Sequence, residues 1–248
     1  MSAPTVAATI QRRLLVNYRV EPDALDAVLP SPFRPVLVSG YGVAGICLIR
    51  MGGIRPAGLP ALLGVTSENA AHRVAVEWDG PTGPVTGVYI PRRDTSSRLT
   101  VALGGRAFPG WHHRARFDVD EGDGSYRVAM TSADGAAHVV VVARPAEHVM
   151  AGSVFGSVDA ASAFFRDAPV GYAATPETGV FDGVRLTTDD FAVDALHLDE
   201  VRSSYFDDRS RFPSGAAALD SAFVMADLAT TWRPELKLAA SAGSPTRS

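Results

Sequence analysis

The chain has 248 residues, 46% of them hydrophobic and 20% charged, with a formal net charge of −4 at pH 7. A chain this long can bury roughly three-quarters of its unfolded surface without disulfide staples, and its single cysteine, Cys47, allows no internal disulfide. The acidic balance argues against a nucleic-acid partner, no apolar run reaches the roughly 20 residues of a membrane helix, and no signal peptide is evident, so the chain reads as cytoplasmic.

"RRLLVNYRV" (12–20) alternates apolar and polar residues and predicts a strand. "EPDALDAVLP" predicts a short helix, with Pro22 at its start and Pro30 as a stop. "GVAGICLIRM" (42–51) predicts a strand buried on both faces, with Cys47 a structural thiol rather than a reactive one. Residues 52–66, rich in glycine and proline, predict a long loop. "ENAAHRVAVEWD" and "PVTGVYIP" flank "GPTG" and predict a hairpin. "DTSSRLTVALGG" predicts a helix capped by Asp94 or Thr95 and ended by glycine. Three strands at 111–119, 125–132 and 137–144 are joined by "EGDG" and "ADG", a meander. "SVDAASAFFRD" (157–167) predicts a helix capped by Ser157 or Asp159. "GYAAT", "GVRLTT" and "DFAVDALHLDEV" return to strands, and "GAAALDSAFVMAD" predicts a short C-terminal helix or irregular cover. The expectation is a single domain over residues 1–236 and a disordered tail over 237–248. About ten strands against three or four helices, without β-α-β alternation, predict a mainly β (α+β) fold: a closed antiparallel β-barrel or cone with flanking outer helices.

The stretch "GGRAFPGWHHRARFDV" (104–119) concentrates candidate chemistry. Strand alternation puts Trp111, His113, Ala115 and Phe117 on one face and His112, Arg114 and Arg116 on the other. The two histidines then point apart, and with no HExxH and one cysteine no metal is expected. His113, facing the apolar side, is either a core histidine or an acid/base. Arg19 offers a bidentate fork for a carboxylate, or pairs at the surface with Glu21 or Asp23. Glu68 is a candidate pocket carboxylate, and His72, Trp111, Tyr89 and Arg114 are candidate ligand contacts. No GxSxG elbow, GxGxxG or phosphate loop occurs, and no cofactor is expected.

Two of these segments resemble the acetoacetate decarboxylase family. "YRVEPDALDAVLPSPF" is similar to that family's "YRTD…L…VPEPL", and "GGRAFPGWHHRARF" to its "GGRE-x-WGFPKKLA". Over about 12–232 the chain resembles still more closely a domain-of-unknown-function family in the acetoacetate decarboxylase-like superfamily. The resemblance implies a β-barrel or cone around an apolar cavity, and a homo-oligomer. It sets Gly110-Trp111-His112-His113-Arg114 on Gly-Phe-Pro-Lys-Lys, so His113 replaces the lysine that forms a Schiff base in the family and Arg114 its cationic neighbour. Arg19 falls on the family's active-site arginine. One family acid is lost at 43–45, and Glu68 stands for the second. Imine chemistry needs a primary amine, which neither histidine nor arginine supplies. Two readings follow. One is a cofactor-independent lyase or isomerase-type enzyme acting on a small keto acid, with His113 as acid/base and Arg19 as clamp. The other is a non-catalytic binder of a hydrophobic organic acid or polyketide-like ligand.

Overall fold

The apolar alternation at the start of the chain becomes a long strand, β1 (Val6–Val20), and everything else is assembled on it. The structure, a computed structural model, describes residues 4–103, 109–188 and 191–240. After β1 come α1 (Pro22–Asp26), β2 (Arg34–Pro35), β3 (Leu37–Val38), β4 (Tyr41–Pro56), β5 (Val65–Gly80), β6 (Gly83–Thr95) and α2 (Arg98–Leu103). The meander follows as β7 (His112–Gly122), β8 (Ser125–Ser132) and β9 (His138–Pro145). The remainder is α3 (Val158–Arg166), β10 (Val170–Ala174), β11 (Val180–Thr187), β12 (Asp194–Ser203), β13 (Ala217–Met225) and β14 (Leu228–Ala239).

All fourteen strands belong to one sheet that closes on itself. One ring runs β1-β4-β5-β6-β10-β11-β14 and back to β1. A second shares β1, β4, β5 and β6 and closes through β7, β8, β9, β12 and β13. The pairing is antiparallel except at β6–β10 and β6–β7, which are parallel. Because side chains alternate, the shared strands feed two cores. One contains Leu14, Val16, Tyr18, Trp78 and Tyr89; the other contains Leu15, Cys47, Ile49, Ala75 and Phe223. Gly45 lets β4 lie close on β1, since a Cβ there would sit 2.3 Å from the Val16 carbonyl oxygen. α3 packs Phe164 and Phe165 over the second core, its N-terminus capped by Ser157 Oγ accepting from the Ala160 amide.

Several sequence expectations need correction. Residues 217–225 of the segment 215–227 form a strand, β13, where a short helix or irregular cover was expected. It is hydrogen-bonded to β1 and to β12 and buried on both faces at its C-terminal half, so it shows no period-two pattern, and pairing overrides its alanine content. Residues 52–56 extend β4, and residues 237–239 lie in β14, inside what was expected to be tail. Residues 241–248 lie outside the described residues. Asp94 and Thr95 end β6 instead of capping α2; Ser97 Oγ accepts from the Thr100 amide in that place. The glycines expected to end α2 also lie outside the described residues. Among the described residues no helix is long and apolar enough to cross a membrane.

Candidate functional site

β7 decides where the histidine pair goes. Its first residues pair in parallel with β6, Arg93 with His112 and Asp94 with His113; from Ala115 onward it pairs antiparallel with β8. The change of partner breaks the alternation, so buried positions fall at His112 and Ala115, three residues apart. Gly110, at φ +96°, makes the turn that leads in. His112 is therefore the buried imidazole, at 7% exposure. Its Nδ1 donates to the Gly110 carbonyl at 3.1 Å, which leaves Nε2 as the acceptor nitrogen. His113 is not inward. It is partly exposed, pairs through Nδ1 with Asp134 at 3.0 Å and lies parallel to the ring of Trp111. Desolvation acts to raise the Asp134 carboxyl, but hydrogen bonds from Ser132, the Ala136 amide and Arg92 hold it well below the usual carboxylate range.

The other sequence candidates scatter. Arg19 is about one-third exposed, donates to the Gly152 carbonyl and faces Asp220 at 3.7 Å, so its charge is already answered. Glu68 joins an ion-pair network, accepting from Arg12 at 2.6 Å and Arg50 at 2.5 Å. Glu121 meets the same two arginines from β7. Tyr89 belongs to the aromatic core with Phe33 and Phe181, and burial pushes its hydroxyl up to about 12. His72 is fully buried, stacked on Tyr205 at 4.7 Å, and neither ring nitrogen has a hydrogen-bond partner. Trp111 is half-exposed, and Arg114 is only partly buried. Of these candidates, none lines either of the two cavities described next.

The first cavity, about 400 Å³, is lined from every strand of the seven-strand ring and covered by α3. Arg13, Cys47, Arg73 and Arg93 reach it from β1, β4, β5 and β6, with Phe165 from α3 and Trp232 from β14. Among the described residues no aspartate or glutamate lines it. Arg73 is buried, gives one hydrogen bond from Nη2 to the neutral Asn17 Oδ1, and lies 4.8 Å from the Phe165 ring centroid. Its Nε has no partner. Burial pushes the Arg73 guanidinium down to about 10, against which the charge of Cys47 acts to raise it. Burial does the same to Arg93, also to about 10, opposed by Cys47 and Asp182. A buried charge with no carboxylate beside it is costly, and an anionic guest is what relieves it.

A second cavity, about 340 Å³, adjoins the first across Ile49, Ala71, Arg93 and Trp232 and is lined by Met51, Asn69, Asp94 and His112. His112 is thus the histidine at a cavity wall. Burial first, then Arg93, push it down to about 3. His72 is likewise pushed down to about 3 by burial and by Arg92 and Arg211. Unfolded, each imidazole takes up a proton near pH 6.5. Above that both states are neutral. Between about 6.5 and about 3 the unfolded chain holds the extra proton, so stability is lost as the pH falls, by about 1.4 kcal/mol per unit for each imidazole. Thermal melts from pH 7 to pH 5 check this, and His72→Phe is expected to flatten the slope; an equally steep slope in that variant contradicts the assignment.

Sequence reasoning missed Arg13 and Arg73. One signal was present: Ala71, Arg73 and Ala75 share a face of β5, and small neighbours around an inward arginine leave a void. Among the described residues no three His, Cys, Asp or Glu side chains group as a metal site requires.

A family model described as an uncharacterized conserved protein, DUF2071, matches residues 7–167, the ring's shared strands included. The chain belongs to the DUF2071 family. No curated protein matches it. Among solved structures, an acetoacetate decarboxylase-like enzyme from Sphingomonas wittichii RW1 superposes with a TM-score of 0.60 at 13% identity, covering 96% of this chain and 94% of that one. The acetoacetate decarboxylase of Legionella pneumophila gives 0.59 at 12% identity, covering 96% and 87%. The enduracididine biosynthesis enzyme MppR complexed with pyruvate gives 0.54 at 14% identity, covering 94% and 91%. At these identities the likeness is one of fold. This DUF2071 chain therefore has an acetoacetate decarboxylase-like fold, mostly β.

Proposed function

We propose that the protein binds a small organic acid in the arginine-lined cavity, the seven-strand ring being a closed barrel around it. The observation that carries this is Arg73: a buried guanidinium with a neutral partner, an open Nε and, among the described residues, no carboxylate in its cavity lining. Arg13 and Arg93 add positive charge to the same wall. A carboxylate accepts two parallel hydrogen bonds from such a fork. The apolar lining of Ile49, Val88, Ile90 and Phe165 suits a short carbon skeleton. Two of the structural neighbours, an acetoacetate decarboxylase and an enzyme complexed with pyruvate, agree with an acid of this size.

If the acid is turned over, the reaction proceeds without an imine. The chain's lysine, Lys237, is two-thirds exposed on β14 and pairs with Asp182 at 3.2 Å, outside the cavity lining. His112 is then the acid/base, because its neutral ring stands at the adjoining wall. This is the lyase or isomerase-type reading, with His112 and Arg73 in the places expected of His113 and Arg19.

A thermal-shift panel of 2-oxo, hydroxy, aromatic and acyl carboxylic acids tests the binding. A ligand at about 100 times its Kd stabilises by roughly 2.7 kcal/mol, which is several degrees for a chain of this size. A flat panel overturns the proposal. His113→Gln and Arg19→Ala are expected to keep the shift and to change stability by no more than about 0.5 kcal/mol, as for other partly exposed side chains. Loss of the shift in either returns that residue to the site.

A further inference from the structure

Cys47 is the chain's single thiol, read from sequence as a structural one. In the fold it is 2% exposed yet lines the arginine cavity, so it is closed to bulk water and open to a bound guest. Arg13 Nε donates to its Sγ at 3.0 Å. Arg73, itself buried and with Nε unpartnered, stands at the same wall. Cations grouped around a thiol stabilise the thiolate, and the thiolate is the nucleophile.

We infer that Cys47 is a nucleophile that captures an organic acid bearing an electrophilic carbon next to its carboxylate. The inference rests on the reading that the cavity binds an organic anion. The arginines hold the carboxylate, and one bond further along the guest its carbonyl carbon falls within reach of the sulfur. A sulfur lone pair forms the C–S bond while the C=O π pair moves onto oxygen. That oxygen takes the proton the thiol gave up, so S–H adds across C=O to give a hemithioketal. Nothing is oxidised and no group leaves, and the step is reversible.

Iodoacetate and iodoacetamide differ in a carboxylate against an amide and alkylate a thiol by the same displacement: the C–S bond forms, the C–I bond breaks and iodide leaves. With one cysteine in the chain, intact mass reads Cys47 directly. In the native full-length protein iodoacetate is expected to label it about tenfold faster than iodoacetamide, the effect of a local positive field. Urea is expected to abolish the preference, Arg13→Met to reduce it, and pyruvate to slow iodoacetate. Equal rates for the two reagents in the native protein, or a thiol that labels only when unfolded, overturn the inference. The failures separate. If acids stabilise the protein but Cys47 shows no preference, the nucleophile is lost and the binding site stands. If iodoacetate is preferred though no acid stabilises, the nucleophile stands and the reversible binding reading is lost.

Discussion

Arg73→Met is expected to raise the melting temperature slightly, by about 1–2 °C, and to abolish stabilisation by organic acids. The guanidinium is 4% exposed, faces no carboxylate among the described residues, and shares its cavity with Arg13 and Arg93. Exchanging an ill-paired buried charge for an apolar side chain of similar length is typically neutral or stabilising by about 1–4 kcal/mol. Methionine keeps the contact with Phe165 that the guanidinium makes through its face. Asn17 Oδ1 loses its donor, which offsets part of the gain at about 1–3 kcal/mol. The net rise is then worth about 2–4 °C for each kcal/mol retained. Melts with and without acid read both halves. A variant that melts lower and still responds to acid shows that Arg73 is structural and that the carboxylate site lies elsewhere. A stabilised variant that no longer responds is the signature of a site held at the expense of stability.

Glu68→Ala is expected to do the opposite. Glu68 is the common acceptor of Arg12 and Arg50, and Arg12 is 3% exposed. Removing one partner of a buried pair leaves an uncompensated charge and costs about 3 kcal/mol, at the lower end because Glu121 still meets Arg12. At about 2–4 °C per kcal/mol the melting temperature falls by roughly 6–12 °C. Ligand response should survive, since Ser67 and Asn69 line the second cavity while Glu68 lies on the other face of β5. A drop in ligand response with an unchanged melting temperature would return Glu68 to the active site. The two variants together separate a carboxylate that holds the sheet from an arginine that the sheet holds in an unfavourable place.

Much of this was legible in the residues. Period-two alternation marked β1, and the residues about Gly80 and Gly83 marked the β5–β6 hairpin. "EGDG" and "ADG" marked the β7–β8–β9 meander, and Ser157 the start of α3. These are local signals: a turn needs its own residues, and a half-buried strand shows its buried half. The resemblance carried the family and the fold. β13 was not legible, because a strand buried on both faces has no polar face to alternate with, and its alanines read as helix.

The site divides in the same way. That the chain has one lysine, one thiol and many arginines is a property of the sequence alone. Which arginines face a cavity is not. Alternation predicts a side chain's face only while a strand keeps its neighbours, and β7 changes from β6 to β8 within its first turn of pairing, so His112 went in and His113 out. Arg13, Arg73 and Arg93 come from strands paired across the ring, and Cys47 meets Arg13 only because β1 lies beside β4. Their convergence depends on ring closure through β6 and β10, a parallel contact between segments far apart in the chain. Composition set which chemistry was available; long-range strand pairing decided which side chains share one enclosed space.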